Sequence, residues 1–498
     1  MGRNSMTSVF KGMIQRTTAM VSASAMAIGL LSPSANALTV RDDITVPGSE
    51  TRGANPIWDG VVQIYMLDSR GRITFNCTGS LINARTVLSA AHCFNSRPSS
   101  AYNSALPGGQ AFTPIIAYGP DTFDALFNWI QTGEQVIDAR NGLTFGDQVI
   151  IHPDADSAFG ARLPFPGADV AMVTLADPLS QLPTYAMLFS PAPLGSHVEF
   201  VAYGGHGIGS TGDTGIDGKR QAGENILGLI GSQNDFLRGV FRSQQAGIFS
   251  SPTGDQTLYF TDFDNPERTG NECERDPVSS DYICDDFGFA VQLNGTFFAP
   301  SNTIDYFPGN ALPNEVGTAG GDSGSAIFFD QLGPRPLIGG VLSGGFTFTS
   351  PESSGYGDVS YYNPLFLFHQ FISEANPYKY VVASSGNGNW SDPARWTQTL
   401  DPNYFVINAQ GQLVNGLPTG PEAGAAGTQP RQGVVLDTDI NSVFPGAGGG
   451  NGAPAAQTPT GQAIDLANAA AGSLVTSRPS ETEIAFDTNA AGLVAVST

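Results

Sequence analysis

Apolar and polar positions first fall into a regular pattern at Val61. Val61-Val62-Gln63-Ile64-Tyr65-Met66-Leu67 is a β-rich run, Asp68-Ser69-Arg70-Gly71 makes a turn, and Ile73-Thr74-Phe75 begins another strand. Two further short apolar strands are predicted between Cys77 and Cys93, the second ending in Ser89-Ala90-Ala91-His92-Cys93. Residues 95–135 read as loop-rich. Gln148 to Pro153 is apolar again, and Asp169-Val170-Ala171-Met172-Val173-Thr174-Leu175 is a strand that opens on an aspartate. Upstream, residues 38–57 are polar, carry Pro47, Gly48, Gly53 and Pro56, and read as an extended arm. Composition changes after Asn376. Beyond about Gly416 the chain is Gly, Ala, Pro, Thr and Gln with few aromatics, too poor in large apolar residues to bury much core.

Composition supports strands over charged amphipathic helices. Only 13% of residues are charged and 61 are glycine, while 41% hydrophobic content is enough for real cores in a chain with room for two or three domains. The net charge of −23 repels nucleic acid and anionic lipid, so neither is an expected partner. At the N-terminus, Arg3, Lys11 and Arg16 precede an apolar run from about Thr18 to Leu31, and Ser34-Ala35-Asn36-Ala37 offers an A-x-A cleavage site. This predicts a signal peptide over 1–37 and a secreted, cell-surface or periplasmic chain with no membrane span once processed. Cys77, Cys93, Cys273 and Cys284 make an even count for an oxidising compartment. Three pairings are possible, and 77–93 with 273–284 is the simplest. No C-x-x-C occurs, which argues against zinc. Asp262, Asp264, Asn265, Asp285 and Asp286 lack calcium-loop spacing and read as a solvated acidic loop. Gly207-Ile208-Gly209-Ser210-Thr211-Gly212 matches G-x-G-x-x-G, but a loop follows it where a dinucleotide site needs a helix. No cofactor or metal is expected.

The candidate chemistry centres on Gly317-Thr-Ala-Gly-Gly-Asp-Ser-Gly-Ser-Ala-Ile327. A Gly-Asp-Ser-Gly turn can lift the Ser323 hydroxyl out of the chain and leave backbone N–H groups facing a developing oxyanion. His92 follows small residues that leave room for its ring. A Cys77–Cys93 disulfide would close a loop of about sixteen residues, worth roughly 3 kcal/mol in the loop-entropy model, and would pin the backbone beside it. Asp169 stands at the mouth of a strand that must be buried, a costly place for an acid that is neither paired nor hydrogen-bonded.

These motifs resemble the trypsin/chymotrypsin-type serine endopeptidases. The likeness is carried by Cys77 with Ser-Ala-Ala-His-Cys to Cys93, by the strand from Asp169, and by Gly-Asp-Ser-Gly at 321–324, in the order His, Asp, Ser. It extends to Gly340-Val341-Leu342-Ser343-Gly344-Gly345 and to Asn363-Pro-Leu-Phe-Leu-Phe-His-Gln-Phe-Ile372, and covers about 58–376. It implies an all-β fold of two six-stranded Greek-key barrels, about 58–180 and 190–365, a short C-terminal helix at about 363–375, and a low-complexity extension over 377–498. It implies a monomeric hydrolase of protein or peptide substrates. Ser323 would be the nucleophile, His92 the base and Asp169 its orienting carboxylate, hydrogen-bonded also by Ser343. Gly321 and Ser323 N–H would form the oxyanion hole, Ser343, Gly344 and Gly345 would pair with substrate backbone, and Gly317 would lie at the base of the specificity pocket.

The departures from the family are as informative. Gly317 is not an acid, so nothing there would pair with a substrate Lys or Arg. Ala319 stands where a cysteine is frequent. The resemblance gives buried Asp322 a cationic partner, a new N-terminus of Ile-Val-Gly-Gly type, but that sequence is absent. A cut after Arg52 would expose Gly53, and signal-peptide removal would expose Leu38. The segment containing Trp390 and Trp396 resembles a short passenger-associated motif of bacterial autotransporters. This leaves two other expectations open: a surface or adhesion protein with a protease-fold head, or an inactive binding protein on the same scaffold.

Overall fold

The computed structural model of the chain describes residues 38–67, 73–94, 113–132, 142–152, 155, 168–233, 236, 256–267, 273–275, 282–284, 306–307, 309, 311–347, 354–376, 378–384, 386–389, 392–419, 434–437, 482–485 and 496–497. The expected signal segment, the 68–71 turn and Asp285 and Asp286 lie outside them.

Chain order begins with β1 (Thr39–Val40) and α1 (Val46–Gly53), followed by β2 (Val61–Leu67), β3 (Ile73–Asn83), β4 (Thr86–Ser89), β5 (Thr113–Ala117), α2 (Thr122–Thr132), β6 (Leu143–Ile151) and β7 (Ala171–Leu175). β2 pairs with β3 and β5, β3 with β4, β4 with β7, β7 with β6, and β6 with β5. Six antiparallel strands therefore close on themselves, which leaves the ring with no free edge. Ile64, Leu81, Val87, Ile116, Val149 and Met172 are buried in one cluster inside it.

The second half runs β8 (Ala186–Leu188), β9 (His197–Ala202), β10 (Gly205–Ile208), β11 (Gly212–Ile216), β12 (Gln221–Ile226), β13 (Leu229–Ser232), β14 (Thr257–Asp262), β15 (Cys273–Arg275), β16 (Tyr282–Cys284), β17 (Val316–Gly317), β18 (Ala326–Phe329), β19 (Leu337–Phe346), β20 (Val359–Pro364) and α3 (His369–Ala375). Its main sheet has the order β12-β9-β18-β19-β20-β14-β13 and curls into a half-barrel among the described residues. Phe200, Ile327, Phe329, Leu342 and Tyr362 fill its concave side. The architecture is the expected all-β double-barrel fold.

Three segments differ from their sequence patterns. Residues 38–57 are not simply extended, because α1 forms where Thr45 Oγ1 accepts the Gly48 N–H at 3.2 Å and Pro47 occupies the first turn. Within 95–135, β5 is short enough to escape a periodicity reading, and α2 starts at Asp121, whose Oδ1 accepts the Phe123 N–H at 3.0 Å. Beyond Asn376 the chain stays ordered for about forty residues through β21 (Lys379–Ala383), β22 (Gly388–Asn389), β23 (Trp396–Thr399), β24 (Tyr404–Ile407) and β25 (Leu413–Asn415). β24 joins β8 in the main sheet, and the Tyr404 ring lies 5.1 Å from Phe189. The few aromatics of this stretch suffice because they dock on a core that already exists.

The G-x-G-x-x-G stretch is a β-hairpin, with Ile208 opposite Gly212 and Gly212 at φ +65°. The strands of Cys273 and Cys284 pair with these two residues opposite each other, although their side chains lie outside the described residues.

His197 ties three strands together. Its Nδ1 lies 2.8 Å from Asp330 and its Nε2 3.0 Å from Glu224. Partial burial pulls its pKa down, but bonds to the two carboxylates outweigh that and raise it above the ordinary value. The stability it contributes is complete below the unfolded pKa of about 6.5 and is lost as pH rises through the higher folded value. His197→Gln should thus lower the unfolding free energy from urea titration most at acidic pH, by up to about 1 kcal/mol for a partly exposed pair, with the difference from the parent shrinking toward pH 9. A pH-independent difference would contradict this.

Candidate active site

His92 sits on a 3-10 turn, Ala91–Cys93, entered directly from β4. Ala90 and Ala91 are fully buried, and no larger residue would let the turn lie this close to the barrel wall. The Cys77–Cys93 disulfide ties the turn to β3. From the other side comes Asp169, 0% exposed, just ahead of β7. The preceding residue, Ala168, has φ +64°, a left-handed conformation uncommon for alanine. That kink takes Asp169 out of the strand line.

The Asp169 carboxylate accepts three hydrogen bonds. Oδ1 takes the His92 backbone N–H at 2.8 Å. Oδ2 lies 2.6 Å from His92 Nδ1 and takes the Ser343 hydroxyl at 2.5 Å. An ionised carboxylate can only accept, so Nδ1 carries the ring proton and Nε2 is left with a lone pair. Ser343 reaches it because the β19–β20 register shifts between Leu342 and Gly344. Such a bulge re-aims one side chain.

Ser323 is half-buried on a turn between Gly321 (φ +92°) and Gly324 (φ +83°). Its carbonyl accepts the Thr78 N–H at 2.9 Å, a bond from the first barrel to the second half of the chain. A Cβ on Gly324 would lie 2.0 Å from Ser89 Oγ and 2.9 Å from the Ala90 nitrogen. The serine turn is thus packed against the residues that lead into His92. Within it, the N–H groups of Asp322, Gly324 and Ser325 bond to Ala319, Leu342 and Asp322. Those of Gly321 and Ser323 donate to no protein group among the described residues. The turn thus presents two backbone N–H groups with no protein acceptor on the same short segment as the Ser323 hydroxyl.

Gly344 is half-buried and Gly345 exposed, on β19 where it faces β20. Gly317 pairs with Thr39, and a Cβ there would meet the Phe263 ring at 2.8 Å and Thr39 Oγ1 at 3.0 Å. A side chain at this position would have to displace the Phe263 ring. Beside it, the hydroxyls of Thr318 and Ser360 lie 2.5 Å apart, a polar pair that the sequence did not single out because 42 positions separate the two residues. Also unread was Asn76, whose Nδ2 is buried without a hydrogen-bond partner and lies 2.8 Å from where a Cβ on Gly321 would be.

Asp322 is fully buried under the turn. Its Oδ2 accepts the Ala319 N–H at 2.8 Å and its Oδ1 the Gly204 N–H at 3.1 Å. Burial pushes its pKa well above the carboxylate range, against the pull of those two bonds.

Among the described residues, two groups have ligand-like spacing, and in both the ligand atoms are already engaged. In Cys77, His92 and Cys93 the sulfurs are spent in the disulfide. In His197, Glu199 and Glu224 the imidazole is held by two carboxylates and Glu199 by Arg52. Asp262 and Asp264, expected in a solvated acidic loop, are instead buried: Asp262 ends β14 and accepts the N–H groups of Tyr306 and Phe307.

The Trypsin family model matches residues 50–113, which contain His92 and the disulfide. A curated relative, Serine protease gd of Drosophila melanogaster, is 30% identical over 129 residues, or 26% of this chain. The chain spans about a fifth of that relative, 19% of its length. Together with the fold, these matches support a trypsin-like serine protease domain.

In this protease-type domain, the Gly324 position should tolerate no side chain. Gly324→Ala places a methyl against Ser89 and strains a left-handed residue, at a cost of about 1–3 kcal/mol. It should lower the melting temperature and slow reaction with a fluorophosphonate by at least about 100-fold. An unchanged reaction rate would contradict the packing described.

Proposed function

We propose that the chain is a secreted serine endopeptidase that cleaves peptide bonds through Ser323, His92 and Asp169. The observation that carries this reading is the saturated Asp169 carboxylate, which fixes the His92 ring with Nε2 as the available base. Ser323 Oγ attacks the scissile carbonyl carbon and its proton passes to His92 Nε2. The carbonyl oxygen takes the charge and is met by the Gly321 and Ser323 N–H groups. Collapse breaks the C–N bond, His92 protonates the leaving amine, and water repeats the cycle on the acyl-enzyme. Substrate lies along Ser343–Gly345 as an added strand.

The missing side chain at Gly317 and the hydroxyl pair of Thr318 and Ser360 support a preference for uncharged residues before the scissile bond. The leader over 1–37 supports export. Among the described residues, no helix is long and apolar enough to cross a membrane.

A fluorophosphonate should label the processed protein but not Ser323→Ala, and His92→Ala should cut turnover by several orders of magnitude, to roughly 10³–10⁴ over water. A folded, processed protein that is never labelled would instead favour the inactive binding scaffold. Profiling against a peptide library should show little cleavage after Lys or Arg, and a dominant basic preference would contradict the pocket assignment.

A further inference from the structure

Thr78 is a lone threonine between Cys77 and Gly79, and nothing in the local sequence singles it out. It is fully buried on β3, and each of its polar atoms is engaged where three segments of the chain meet. Its backbone N–H donates to the Ser323 carbonyl at 2.9 Å. Its carbonyl accepts the Ser89 hydroxyl at 2.8 Å, on the way into the His92 turn. Its hydroxyl donates to the Gly321 carbonyl at 3.1 Å and accepts the Tyr203 N–H at 3.2 Å.

The serine turn needs clamps of this kind. Gly320, Gly321 and Gly324 give it little stiffness of its own, and Gly321 and Gly324 hold positive φ. In a planar trans peptide the C=O and the following N–H point in opposite directions, so each N–H is aimed by whatever holds the carbonyl before it. Four successive carbonyls are held here: Gly320 accepts the Gly205 N–H at 3.3 Å, Gly321 the Thr78 hydroxyl, Asp322 the Ser325 N–H at 2.8 Å, and Ser323 the Thr78 N–H. The first and third of these peptides carry the N–H groups of Gly321 and Ser323. The Gly321–Asp322 peptide, held by the hydroxyl, lies between them.

Three of the four donors are backbone groups, and the Thr78 hydroxyl is the one side chain among them. It fills a gap that the backbone leaves. The N–H groups of Gly204 and Gly205 meet Asp322 Oδ1 and the Gly320 carbonyl directly, whereas the N–H of Tyr203 is linked to the Gly321 carbonyl through the Thr78 oxygen. Accepting the Tyr203 N–H occupies a lone pair of that oxygen and leaves its proton for Gly321.

We infer that the Thr78 hydroxyl is a positioning group for the oxyanion donors: by holding the Gly321–Asp322 peptide it fixes the Gly321 and Ser323 N–H groups on either side, and it acts on the reaction through the turn without touching substrate. The inference rests on the endopeptidase reading. The hydroxyl is separable from the fold, because Thr78 keeps its two backbone bonds and its place on β3 when the oxygen alone is removed.

The test uses the full chain in four forms. Beside the parent stand Thr78→Val, which keeps the branched shape and loses the oxygen, and Thr78→Ser and Thr78→Ala, which differ from each other by that oxygen alone. Turnover of a peptide substrate is expressed per active site titrated to completion with fluorophosphonate, so that unfolded protein does not count. Thr78→Val and Thr78→Ala should lose about 10- to 100-fold in kcat with KM within about twofold of the parent, since the oxyanion donors are displaced and not deleted. Thr78→Ser should stay within about threefold of the parent in kcat. Where Thr78→Val does not fold, the comparison of Ser with Ala carries the test. Equal kcat in Thr78→Ser and Thr78→Ala, or in the parent and a folded Thr78→Val, whatever their melting temperatures, would overturn the inference and leave the peptidase reading intact. A folded, processed parent that is never labelled would overturn both.

Discussion

The site depends on one buried carboxylate. Asp169 has no exposure, and its charge is tolerable only because three donors converge on it: the His92 backbone, the His92 ring and the Ser343 hydroxyl. Those donors come from two places in the chain, the turn after β4 and the bulge in β19. Satisfying the carboxylate therefore requires both halves of the molecule to be assembled. The same need fixes the imidazole tautomer, so structural necessity and chemical readiness have one origin.

The serine turn is held by a different constraint, close packing. Gly324 lies against Ser89 and Ala90 with no room for a methyl group, while the Ser323 carbonyl and the Gly321 carbonyl are taken by the backbone and side chain of Thr78. The N–H groups of Gly321 and Ser323, by contrast, donate to no protein group among the described residues. The buried Asp322 beneath this turn is held by the Ala319 and Gly204 N–H groups.

Much of this was legible in the chain. His92, Asp169 and Ser323 were singled out by their order and local contexts together, each modest alone: a histidine after small residues beside a cysteine, an aspartate opening an apolar strand, a serine between glycines. The Cys77–Cys93 bridge was the simplest pairing and is present. What escaped was structure that is short or borrowed. β5 has five residues, too few to show a period, and β24 and β25 are stable only because β8 offers them an edge and Phe189 a surface. Asn76, Thr318 and Ser360 escaped because a lone amide or hydroxyl has no signature until a distant partner, or the lack of one, gives it meaning.

The sequence alone determined the local chemistry and strand content, since glycine positions, residue size and alternation act over a few neighbours. It also marked Leu38 and Arg52 as possible new termini without choosing between them. Only the tertiary structure shows where each of the two residues lies. Strand register is a long-range property, set by which edges are free to pair, and it carries β1 between residues 205–208 and 316–317 while α1 seals Arg52 and Gly53 into packed backbone. The pocket follows the same rule: the missing acid at Gly317 could be read along the chain, but the Phe263 ring that one would have to displace had to be folded into place.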